Sequence, residues 1–202
     1  MMRILKPAVL SLLSIVAVGC GGPNFNIVRQ SNPNGLAGKK NFTVAPWNWE
    51  GLIIGTREED KMTLEQYIQK KKPEDQEKWK ADFAGDQAGT AAKFQEVLTD
   101  KCKSFGANCA AAPGGDAMMI KVRVRVYEPG FWSPAGFGNR DTHLRTTVEF
   151  TDPAGNTLDE VKFSWRVTPG TFTPSTGQRM RIAAEGIAGH VAKYLKMRTE
   201  AK

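Results

Sequence analysis

Histidine and cysteine are scarce in this 202-residue chain, which has two of the first and three of the second. A structural zinc site draws four ligands mainly from these types. His143 and His190 stand far apart and far from Cys102 and Cys109, so no metal site is expected. A hydrolytic centre needs a nucleophile, a base and an oxyanion site, yet none of Ser133, Ser164 or Ser175 lies in a nucleophile-elbow context. His143 reads as a solvated residue on a strand face. GFGNRD, residues 136–141, starts like a Gly-rich phosphate loop but precedes a strand, so it offers no helix N-terminus to a phosphate. Together these absences imply no cofactor and no enzyme. Long apolar runs are missing too, the one near the start being about half of what a spanning helix needs.

That short run, Pro7 to Val18, comes after Arg3 and Lys6 and ends at Ala17-Val18-Gly19-Cys20. A charged head, an apolar core and small residues before the cut make an export signal. Its ending resembles the lipobox of bacterial lipoproteins, which implies cleavage before Cys20 and acylation of its thiol, so the membrane partner would be reached through a lipid anchor. Gly21 after the cysteine favours, by the same resemblance, an outer membrane and a domain facing the periplasm. Residues 1–19 are therefore read as signal peptide, 20–38 as the acylated cysteine plus a flexible Gly/Asn/Pro-rich tether, and 39–198 as one domain. The formal charge of +7 suits an anionic partner, and export argues against nucleic acid. In an oxidising compartment the close pair Cys102 and Cys109 reads as a disulfide.

The organising stretch is Met118 to Tyr127, MMIKVRVRVY. Ile120, Val122, Val124 and Val126 alternate with Lys121, Arg123, Arg125 and Tyr127, as in a strand of a sheet covered on one side only. Leu144, Thr146, Val148 and Phe150 alternate likewise, as do Val161, Phe163, Trp165 and Val167. DPAGN joins those two segments as a tight turn, with Gly155 supplying a positive φ. An earlier strand is expected near Phe42 to Trp47. Thr63 and Gln66 have capping-box spacing, Pro73 suits a first helical position, and Trp79, Phe83, Thr90, Phe94 and Leu98 form a helical stripe in which Gly85 and Gly89 mark a kink, a break between two helices or a close approach to the sheet. Ser175 and Gln178 open a last helix with the stripe Met180, Ala184, Ile187, Val191 and Leu195. The expected fold is α+β: a mostly antiparallel four-stranded sheet with two main helices on one face, in the order strand, helices, strand, strand, strand, helix.

The pattern offers two candidate sites. Lys121, Arg123, Arg125, Arg145, Lys162 and Arg166 would share the polar sheet face and could hold an anion. Phe131, Trp132 and Phe137 lie in the long loop Glu128 to Asp141, where they either cover the open end of the sheet or contact an envelope protein. The lipobox, the FTVAPW opening, IKVRVRV, DPAGN and the closing AAEGIAGHVAKYL resemble a family of small bacterial lipoproteins. Their exported part is catalogued as a domain of unknown function related in fold to the N-terminal domain of TolB. That resemblance implies a fold and an address, and only Cys20 carries over as a functional residue. The expected function is a non-catalytic interaction or accessory module of an envelope assembly. The alternative is a binding module for an anionic envelope polymer or lipid.

Overall fold

The computed structural model describes residues 25–111, 116–135 and 138–201. The expected signal peptide, Cys20 and Phe137 lie outside them. Phe25–Arg29 form β1, Asn41–Val44 β2, Ile53–Ile54 β3 and Met62–Thr63 β4; the helices Leu64–Gln69 (α1) and Pro73–Lys103 (α2) come next. Asn108–Ala110 (β5), Met118–Glu128 (β6), Thr142–Thr151 (β7), Thr157–Val167 (β8) and the helix Thr176–Glu200 (α3) complete the chain.

The α+β class stands, but the sheet is eight-stranded and mixed, with main order β1-β8-β7-β6-β2-β5 and β3 paired to both β4 and β6. Three pairings are parallel, β2 with β5, β2 with β6 and β3 with β6. The additions to the expected four strands are short, two to five residues each, too few for period two to emerge from sequence. β1 corrects the tether boundary: Phe25 pairs with Phe163 and Asn26 with Lys162. Leu36, a little further on, is fully buried. The segment 25–38 therefore belongs to the domain.

Within β6 the alternation holds from Ile120 to Val124 and then slips at a bulge, after which Val126 pairs with Arg145 and Tyr127 with Leu144. A bulge inserts one unpaired residue and reverses the facing of the residues beyond it. Tyr127, expected on the cationic face, is consequently buried against Phe83 of α2, ring centroids 5.6 Å apart. Val126 takes the outer side instead.

α2 and α3 lie side by side against the other face of the sheet. The Thr63 capping box and Pro73 at the start of α2 are present, and the α2 helix runs unbroken through Gly85 and Gly89. Phe94 and Leu98 are fully buried in its stripe. In α3 the whole expected stripe is fully buried. Gly186 is required there: a Cβ would stand 2.3 Å from the Trp165 ring. Cys102 and Cys109 are bonded, Cα–Cα 6.1 Å, fastening the last turn of α2 to β5. Asp152 and Asn156 close the β7–β8 turn, with Gly155 at φ 91°.

Candidate functional site

The face of the sheet away from the helices carries the candidate anion contacts in cross-strand rows. Lys121 stands beside Glu149, itself opposite Glu160; Arg123 beside Thr147, itself opposite Lys162; Arg145 opposite Ser164; Glu128 beside His143, itself opposite Arg166. Because β6, β7 and β8 are adjacent and in this register, all six cations of the sequence reading fall on one face. Among the described residues none of the six lies within 4.0 Å of a carboxylate.

Two recesses open on this face. The first, about 480 Å³, is floored by Thr146, Thr147 and Phe163 and walled by Asn26, Arg125, Arg145, Lys162 and Ser164, with Phe25 at its edge. Three cations and no carboxylate line it. The Thr147 hydroxyl and the Nε of the adjoining Arg123 are buried with no protein partner, so polar capacity is unspent at its base. The second recess, about 500 Å³, holds Arg57, Arg140, Arg145 and Arg166 but also Asp60, Glu128 and Asp141. Arg145 lines both, so the recesses adjoin across its side chain.

His143 is not solvated as expected. It is buried, 4 % exposed, with Nε2 2.6 Å from the Ser164 hydroxyl. Burial first, then the neighbouring Arg145 and Arg166, lower its pKa to about 4. The imidazole is thus neutral at physiological pH. A Ser–His contact invites a hydrolase reading, but among the described residues no hydrogen-bond partner orients Nδ1, the third member such a site uses. Among the described residues no three His, Cys, Asp or Glu side chains gather as metal ligands would.

The aromatic loop divides. Phe131 is 54 % exposed, Trp132 is half-buried, and the loop is not shapeless, since Phe131 and Arg140 exchange two backbone hydrogen bonds of 3.0 and 2.9 Å. A second exposed ring, Phe172, 90 % exposed, lies in the loop between β8 and α3. What positions both loops is Arg179, a residue that sequence reasoning missed.

Arg179 is 1 % exposed. Its Nε donates to the Thr142 hydroxyl at 2.7 Å, one terminal nitrogen donates to the carbonyls of Thr173 and Pro174 at 3.0 and 2.6 Å, and the other donates to the Pro129 carbonyl and the Thr176 hydroxyl at 3.1 and 3.2 Å. Burial lowers its pKa, but an arginine remains charged. The guanidinium therefore ties the loop after β6 to the loop after β8.

No family model and no curated protein matches the sequence, so the expected kinship with TolB gains no support from a family model. Among solved structures the chain is similar to the PelC dodecamer from Paraburkholderia phytofirmans, at 10% identity and a TM-score of 0.41 over 83% of this chain and 96% of that one. A single-residue variant of the same protein gives 9% identity, the same TM-score and 83% and 95% coverage. A candidate lipoprotein from Caulobacter crescentus aligns at 14% identity and a TM-score of 0.35, over 54% of this chain and 81% of that one. Likenesses this weak assign neither family nor function.

Proposed function

We propose that this chain is a lipid-anchored protein of the bacterial cell envelope, anchored at Cys20 in the outer membrane and facing the periplasm. Its domain is a non-catalytic binding module, and its uncovered sheet face takes an anionic envelope polymer or lipid headgroup. The observation that carries the ligand class is the first recess: Arg125, Arg145 and Lys162 around about 480 Å³ with no carboxylate among the lining residues. Cations converging on a concave surface attract anions over a Debye length and lose that attraction with salt. Arg145 and Lys162 are exposed, so reversing both leaves the fold intact. Arg145→Glu with Lys162→Glu should weaken binding to lipopolysaccharide on the order of tenfold or more at low salt and flatten its salt dependence. Unchanged binding at low salt would reject the reading.

A second reading keeps the domain as an accessory subunit of an envelope assembly. The exposed ring of Phe131, beside half-buried Trp132, is what supports it, because aromatic side chains held on fixed loops are common interface anchors. Crosslinking in intact envelopes followed by purification separates the two, returning a defined protein partner in this case and glycan or lipid in the first.

A further inference from the structure

Four residues separate Cys20 from Phe25, and β1 has a fixed direction in the sheet. β1 runs antiparallel to β8 with Phe25 opposite Phe163. The N-terminal end of β1 therefore points toward Ser164 to Val167, the end of β8 that leads into the Phe172 loop. The loop bearing Phe131 leaves β6 at the same end, since Thr142 pairs with Val167. Arg179 binds the two loops to one guanidinium through Pro129 and Thr173.

Distances make this end the one nearest the anchor. Four residues of β8 lie between Phe163 and its end, about 13 Å at the usual strand rise. The opposite end, the Asp152–Asn156 turn, lies about 20 Å from Phe163 in the other direction by the same rise. The five Cα-to-Cα steps from Cys20 to Phe25 reach at most about 17 Å even fully extended. Within that reach Cys20 can stand level with the Phe172 end, whereas the turn lies beyond it.

We propose that the end of the domain carrying Phe131 and Phe172 rests on the bilayer that holds the anchor, with both rings inserted at the headgroup boundary. The charges around the second recess nearly balance there, Arg57, Arg140, Arg145 and Arg166 against Asp60, Glu128 and Asp141, so insertion of the rings rather than net attraction sets the contact. Large apolar side chains at 54 % and 90 % exposure gain by leaving water at such a boundary. In this orientation the basic face stands along the membrane normal, with its first recess above the lipid.

The proposal rests on the reading of Cys20 as the anchor, and the test keeps the two apart. Mature acylated protein carrying Phe172→Cys, or Ala154→Cys at the far turn, has a single free thiol, because Cys102 and Cys109 are bonded. Each is labelled with a small fluorophore and reconstituted into vesicles of phosphatidylethanolamine and phosphatidylglycerol. The label at 172 should be quenched severalfold more strongly by nitroxide-bearing lipid than the label at 154, and be shielded from aqueous iodide. Protein that floats with the vesicles but leaves position 172 as open to iodide as position 154 overturns the docking alone and leaves this end for a protein partner. Protein that fails to float overturns the anchor, and the docking with it. Phe131→Cys provides an independent second probe of the same end.

Discussion

Each end of α3 carries an arginine held by several hydrogen bonds, Arg179 buried and Arg198 half-buried, and the two are satisfied in opposite ways. At its C-terminal end Arg198 meets a carboxylate: Nε donates to Asp159 at 2.8 Å, and the same terminal nitrogen reaches the other Asp159 oxygen at 3.2 Å and the Ser31 carbonyl at 3.1 Å. Asp159 is fully buried and also accepts from the Tyr194 hydroxyl at 2.7 Å and the Ser31 backbone N–H at 2.8 Å. At the N-terminal end Arg179 meets only carbonyls and hydroxyls. A carboxylate partner can be titrated or mutated away, whereas a cage of backbone carbonyls exists only while the loops that supply them are folded. The Asp159 end locks the N-terminal segment to the core by charge. The Arg179 end locks two loops to each other by geometry.

The largest effect is expected where the cage is emptied. Arg179→Met keeps the chain length but strands five acceptor contacts, and should cost about 3–5 kcal/mol in denaturant unfolding. Hydrogen exchange should rise in the segments around Phe131 and Phe172 before it rises elsewhere. A loss under about 1 kcal/mol would mean that the loops hold each other without the guanidinium.

Removing the carboxylate at the other end should cost somewhat less, about 2–4 kcal/mol for Asp159→Asn, because Tyr194 and Ser31 can still bond the amide. The pH profile sharpens the contrast. Burial alone would raise the Asp159 pKa, but the bonds from Arg198, Ser31 and Tyr194 outweigh it and the net direction is down. A carboxyl depressed in the folded state contributes stability above its ordinary value of 3.8. That contribution is lost as pH falls below 3.8 through the folded value. Asp159→Asn should abolish this acid limb, and Arg179→Met should retain it.

The Arg179 end does respond to pH, but through His143. With a folded pKa of about 4 against 6.5 in the unfolded chain, the unfolded state alone takes up the proton in that window. Stability should therefore fall as pH drops from 6.5 towards 4, by up to roughly 3 kcal/mol, and then level off with respect to this group. His143→Gln keeps a donor for Ser164 and should remove that slope while leaving the limb below 3.8. A wild-type profile that is flat between 6.5 and 4 would contradict the burial of an uncharged imidazole.

The smallest effect tests whether the middle of α3 is as closely fitted as its ends. Gly186→Ala places a methyl against the Trp165 ring and should cost about 1–3 kcal/mol by overpacking. Gly189→Ala meets no atom within 4 Å and should stabilise slightly, by up to about 1 kcal/mol, through helix propensity. Opposite signs at these two positions, read as shifts in melting temperature, would confirm that only the first glycine is there for packing.

Local pattern alone determined β7, β8 and their turn, the first half of β6, both long helices, with Pro73 opening the first and Ser175 capping the second, and the Cys102–Cys109 bond, because each is set by short-range periodicity or by a nearby pair. It also put the six cations on one face, since period two does that once three strands are neighbours. Tertiary structure alone decided the rest. The strand near Phe42 was legible, though it ends at Val44 rather than Trp47; the short strands β3, β4 and β5 carry too few residues to show a period, and β1 is hidden in an Asn-rich stretch whose partner lies far away in β8. The bulge at Arg125 moves Tyr127 into the core by a one-residue slip that composition does not encode. Nothing in the sequence marks Arg179 or Asp159. Their partners are backbone carbonyls, which every residue carries, and groups up to 128 positions away, so only the folded chain could show that the two ends of one helix are held by different physics.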